Sequence, residues 1–68
     1  MKSRLRVLRA EMGWTQEQLG TLIGVSRQAI NAIEAERHDP SLDLAYRIAG
    51  AFGVTVEHVF PNPHQPKD

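Results

Sequence analysis

The stretch Gln16–Ile33, QEQLGTLIGVSRQAINAI, decides the reading of this chain. Thr15 stands before it as an N-cap, and Gln18 three positions later completes a capping box, in which hydroxyl and amide each satisfy a backbone N–H. Trp14 and Leu19 flank that cap at the spacing of a hydrophobic staple. The helix so started ends near Ile23, where Gly24 supplies the positive φ of a tight exit. Ser26 caps a second helix. Val25 and Ile30 repeat the staple spacing, and Ile30 and Ile33 face the core before the pattern fades near Ala35. Gly24 and Val25 alone separate the two helices, and so short a connection makes them cross steeply instead of lying antiparallel.

A steep crossing brings two backbones close together and demands a small residue on the earlier helix. Gly20 fills that place. Counted from Gln16 as position one, apolar or small residues occupy positions 4, 5, 8, 9, 10, 15 and 18, the buried positions of a helix-turn-helix unit. An arbitrary helical hairpin with a glycine turn would not need all seven.

Outward from this unit the pattern stays helical, with breaks at Gly, Pro and capping residues. Ser3 to Met12 reads as a first helix, with Leu5 and Leu8 on one face and Gly13 as its left-handed exit. After the loop Glu36–Pro40, Ser41 caps a fourth helix, with Asp43 in its first turn. Leu44, Ala45, Ile48, Ala49 and Phe52 form its buried face, and Gly53 ends it. Thr55 caps a short fifth helix through Val59. The expected fold is all-α, a five-helix domain over residues 1–60, with 61–68 a disordered tail carrying three prolines.

The chain has 68 residues and no cysteine, which excludes disulfides and cysteine-bound zinc and fits a reducing, cytoplasmic compartment. No apolar run approaches the roughly 20 residues of a membrane span, and no apolar stretch follows the basic Lys2, Arg4, Arg6 and Arg9, so neither a membrane partner nor a secretory signal is expected. Net charge is zero, yet residues 1–37 carry an excess of two positive charges and residues 38–68 an excess of two negative ones. The local field matters to an anionic partner more than the sum does. An enzyme is not expected. Thr15, Ser26 and Ser41 are accounted for as caps, and His38, His58 and His64 are scattered, so no metal site and no cofactor is foreseen.

The chain resembles the Cro/phage-repressor (XRE) family of helix-turn-helix transcriptional regulators, in its compact, stand-alone bacterial form. The residues that carry the resemblance are Arg9, the run Gly13-Trp14-Thr15-Gln16-Glu17-Gln18-Leu19, Gly24-Val25-Ser26-Arg27-Gln28, Ile33-Glu34, Asp39-Pro40-Ser41-Leu42 and Ala51-Phe52-Gly53-Val54. It implies a lambda-repressor-like fold and binding of double-stranded DNA, with the third helix in the major groove, N-terminal end foremost. Arg27, Gln28 and Asn31 then face base edges, the arginine suited to guanine O6 and N7 and the amides to adenine N6 and N7, while Ala32 offers a methyl to thymine. By the same resemblance Gln16 meets a phosphate at a helix start, beside the caps Thr15 and Ser26, and Arg37 and His38 reach the backbone from the loop. Arg9 and Glu34 correspond to a structural ion pair joining the first helix to the end of the third.

Two departures stand out. Glu36 occupies a place where many relatives have Gly, and either strain or a rerouted loop is expected there. Gly20 replaces the usual Ala, which keeps the close approach at a cost of about 1 kcal/mol in helix stability. Val56, Val59 and Phe60 are apolar beyond what a minimal core needs; they either pack onto the first helix or form a dimer or partner surface, and the second is the expectation. The expected activity is transcriptional regulation, repression above activation, by a homodimer on a palindromic operator. The alternative is an antitoxin or co-regulator acting mainly on another protein.

Overall fold

Four of the five helices open on a hydroxyl that accepts a backbone N–H. The computed structural model, which describes residues 1–64, places α1 at Leu5–Met12, α2 at Gln16–Ile23, α3 at Arg27–Glu34, α4 at Leu42–Phe52 and α5 at Val56–Val59. Thr15, Ser26, Ser41 and Thr55 cap α2 to α5, and the Thr15 capping box has both of its bonds, at 3.0 and 2.8 Å. Each such cap contributes about 1 kcal/mol. Helix α1 differs from expectation. It starts at Leu5, two residues after Ser3, with Arg4 at the N-cap, and the Ser3 hydroxyl accepts from the Leu5 N–H at 3.1 Å.

Gly13, Gly24 and Gly53 close α1, α2 and α4 in the left-handed conformation. Helix α3 ends the same way without a glycine. Glu36 has φ 61°, its N–H donates to the Ile33 carbonyl and the next N–H, of Arg37, to that of Ala32, both at 3.0 Å. This is the double-bonded left-handed exit of a Schellman motif. The loop is therefore not rerouted. The strain expected at this position is present, and two backbone bonds hold it.

The core joins Leu5, Leu8, Leu19, Ile23, Ile30, Ile33, Ala45, Ile48, Ala49, Val59 and Phe60, with Trp14 and Phe52 packed on it at a ring separation of 5.3 Å. Where α2 meets the turn into α3, a Cβ on Gly20 would stand 2.6 Å from the Val25 carbonyl oxygen. The approach is closer than an alanine permits without movement of the backbone. The Arg47 guanidinium on α4 donates to the Ile23 carbonyl at 2.7 Å, so α4 also caps the C-terminal end of α2.

Of the three side chains expected on a partner surface, Val59 is fully buried and Phe60 is 4 % exposed. The reason is the shortness of α5. A four-residue helix has one apolar face, and here that face closes the core beneath α1, whose start is tied to α5 by the Arg4 N–H to Val59 carbonyl bond of 2.8 Å. Val56 alone keeps partial exposure. The expectation of a disordered tail covers 61–68. Residues 65–68 lie outside the described residues, and within 61–64 the His64 N–H donates to Asn62 Oδ1 at 2.8 Å.

Candidate nucleic-acid interface

Helix α3 has two faces of opposite character. Ile30 and Ile33 are buried, whereas Arg27, Gln28 and Asn31 are exposed. The separation follows from the period of 3.6: residues three apart share a face, so Ile30 and Ile33 pack inward while Gln28 and Asn31 point outward together. Arg27, Gln28 and Asn31 line one cleft of about 370 Å³ with Gln16 from the start of α2 and Arg37 from the loop after α3. Its walls carry two guanidinium groups and three amides and no carboxylate.

Thr15 and Ser26 are exposed at the starts of α2 and α3, with their hydroxyls engaged as caps. Ala32 is half-buried, and His38 is exposed in the loop; neither lines the cleft. The Arg37 guanidinium turns back over α3 and donates to Asn31 Oδ1 at 2.8 Å.

Behind the cleft lies the Glu34 carboxylate. Arg9 donates to it twice, from Nε at 2.6 Å and from Nη2 at 3.1 Å, and Gln16 Nε2 donates to Oε1 at 3.1 Å. Arg6 Nε stands 3.5 Å from the same oxygen. The Glu34 side chain has no exposed surface, and burial by itself pushes its carboxyl up; the hydrogen bonds from Arg9, Gln16 and Arg6 and the Arg9 charge outweigh that and hold it below the usual carboxylate value. The hydrogen bond to Glu34 in turn raises Arg9. Because Gln16 Nε2 carries two protons, its bond to Glu34 orients the amide and leaves one N–H to spare.

Arg6 was not foreseen as a partner of Glu34. Its position three residues before Arg9, on the same face of α1, was the available signal. The bond from the Ser3 N–H to Glu36 Oε2, 2.9 Å, spans 33 positions and left no local trace in the sequence. Among the described residues no cluster of His, Cys, Asp or Glu could hold a metal ion, and no helix is long and apolar enough to cross a membrane.

The helix-turn-helix family model (HTH_3) matches residues 5–59. An HTH-type transcriptional regulator of Methanocaldococcus jannaschii, MJ0272, is 52 % identical over 60 residues, covering 88 % of this chain and 91 % of that one. Among solved structures, the restriction-modification controller protein C.AhdI from Aeromonas hydrophila superposes with a TM-score of 0.77 at 32 % identity, covering 84 % of this chain and 86 % of its own. The P22 c2 repressor protein in complex with a synthetic operator gives 0.78 at 25 % identity, with 81 % and 83 % covered. By its sequence, its five-helix architecture and these relatives, the chain belongs to the lambda-repressor-like (XRE/Cro) helix-turn-helix family of DNA-binding transcriptional regulators, which are not enzymes.

Proposed function

We propose that α3 enters the DNA major groove and reads a specific operator, and that the chain acts as a repressor. The observation that carries this is the cleft in which Gln16, Arg27, Gln28, Asn31 and Arg37 converge on the exposed face of α3. Arg27 and Gln28 are the base readers nearest the helix start, where a recognition helix meets base edges. Asn31 lies one turn further in, with Ala32 beside it to offer a methyl. Gln16 meets a phosphate with its spare amide N–H and the free backbone N–H groups at the start of α2, flanked by Thr15 and Ser26. Arg37 and His38 add backbone contacts from the loop. Repression is favoured by the relatives, among them the immunity repressor of Bacillus phage phi105, 36 % identical over 56 residues.

Two copies related by a two-fold axis would read half-sites about 34 Å apart, and the operator is then palindromic. Val56 belongs to the contact surface of such a dimer, whereas Val59 and Phe60 serve the core. Selection of bound duplexes from random DNA at low salt tests the proposal. It should enrich one motif with inverted repeats, and recovery of no motif would contradict sequence-specific reading.

A further inference from the structure

We infer that Arg6 of α1 is a phosphate-contacting residue, which shares one backbone phosphate of the DNA with Gln16; this rests on the proposed reading of α3 as the groove-facing helix with Gln16 as its phosphate anchor. One oxygen of the buried Glu34 carboxylate places the two side chains beside each other. Gln16 Nε2 donates to Oε1 at 3.1 Å, and Arg6 Nε stands 3.5 Å from the same atom. Gln16 lines the cleft on the exposed face of α3, so Arg6 stands next to one wall of that cleft. The start of α1 is tied to the loop after α3 by the Ser3 N–H to Glu36 Oε2 bond of 2.9 Å, and Arg9 reaches the Trp14 carbonyl at 2.7 Å. Helix α1 thus runs from the loop that carries Arg37 to the start of α2, with Arg6 between.

Arg9 and Arg6 both face Glu34, but their charges have different fates. The Arg9 side chain is 17 % exposed and spends all three of its nitrogens inward, Nε and Nη2 on Glu34 and Nη1 on the Trp14 carbonyl. A carboxylate held twice by one guanidinium is neutralised by it. The Arg6 side chain is 67 % exposed and approaches with Nε alone, farther off than the roughly 2.7–2.9 Å of a strong charge-assisted bond. Among the described residues it makes no other ion pair, and its two terminal nitrogens hold no protein acceptor. Arg9, Glu34 and Arg6 together therefore carry one net positive charge, and that charge sits on the exposed member.

A phosphate suits this vacancy. It supplies the missing negative charge, and its oxygens match the fork of guanidinium donors. Gln16 adds the amide N–H that Glu34 leaves to spare. No carboxylate lines the cleft to compete, and that of Glu36 accepts from the Ser3 N–H. Because Arg9 holds Glu34 by two bonds, Arg6 can turn to a phosphate without stranding the carboxylate.

The test compares the unmodified protein with Arg6→Gln and Arg6→Lys on the selected duplex and on an unrelated duplex of equal length, from about 50 to 200 mM salt. Arg6→Gln should weaken binding to both duplexes alike and lower the slope of log affinity against log salt by about one. Its deficit then shrinks roughly three-fold across that range. Arg6→Lys should keep the slope, and neither variant should alter the base preferences of the random-DNA selection. Methylphosphonate substitution, which neutralises single phosphates, should find one phosphate whose loss weakens the unmodified protein but neither Arg6→Gln nor Gln16→Ala. An unchanged salt slope in Arg6→Gln overturns the inference, and a lowered urea midpoint beside it makes Arg6 a clamp of Glu34 only. A lowered slope with every phosphate still felt by Arg6→Gln makes Arg6 a remote charge and overturns the contact. Separate phosphates for Arg6→Gln and Gln16→Ala overturn the sharing. Each of these results leaves the reading of α3 standing. Failure of the unmodified protein to enrich any motif is the distinct failure of that reading, and the inference falls with it.

Discussion

The Arg9 guanidinium grips both oxygens of the buried Glu34 carboxylate, at 2.6 and 3.1 Å, and thereby locks α1 to the end of α3. Its remaining arm donates to the Trp14 carbonyl at 2.7 Å, so one side chain also holds the turn between α1 and α2. Removing one partner strands the other. Glu34→Gln should cost about 3–5 kcal/mol, read as a lower urea midpoint with an unchanged slope. A loss below about 1 kcal/mol would place the pair among ordinary surface bridges.

The same carboxylate sets an acid limit. The folded carboxyl of Glu34 lies below its ordinary value of 4.5, so in acid the unfolded chain takes up its proton first. Stability from this group is complete above that value and is lost as the pH falls through the folded value. A urea-midpoint series should decline below about pH 4.5, and Glu34→Gln should flatten part of that decline. An equal decline in both proteins would remove Glu34 from the explanation.

Gly20 tests the crossing of α2 and α3. A Cβ there already meets the Val25 carbonyl oxygen at 2.6 Å, and the two further carbons of valine have no room. Gly20→Val should destabilise the fold by at least about 2 kcal/mol, with a fall in Tm of roughly 8 °C or more. A variant as stable as the parent would mean that the helices can move apart freely.

Glu36→Gly should act in the opposite direction. It relieves a side chain from φ 61° and gives up the bond to the Ser3 N–H. The left-handed strain is the larger of the two, and thermal unfolding should show a net gain of about 1 kcal/mol. A loss of stability would show that the tie to Ser3 outweighs the strain.

The helical pattern was legible in the sequence because its signals are local. Thr15 with Gln18, Ser26, Ser41 and Thr55 with their downstream N–H groups, and Gly13, Gly24 and Gly53 each act within a few residues. The closeness of Gly20 to Val25 was legible for the same reason. What escaped was long-range. Arg47 caps α2 from 24 positions away, and Ser3 reaches Glu36 across 33. For Val59 and Phe60 the sequence left packing on α1 and a partner surface both open, and the choice depended on how α1 and α4 close over α5, which no local pattern states. In the candidate site, the exposed face of α3 followed from periodicity, whereas the bond between Arg37 and Asn31 follows from the course of the loop.

Two substitutions separate base reading from phosphate contact. Gln28→Ala should relax preference at one base position, at about 1–3 kcal/mol of discrimination. Arg37→Ala should weaken binding and reduce the slope of log affinity against log salt by about one. An unchanged salt slope would remove the phosphate contact of Arg37.

Amide chemical-shift mapping with the selected duplex tests the proposed interface most directly. The largest changes should fall at Thr15–Glu17, Ser26–Ala32 and Arg37–His38, leaving the exposed side of α4 around Tyr46 and Gly50 unmoved. Changes concentrated on α4 and α5, with α3 silent, would contradict the account.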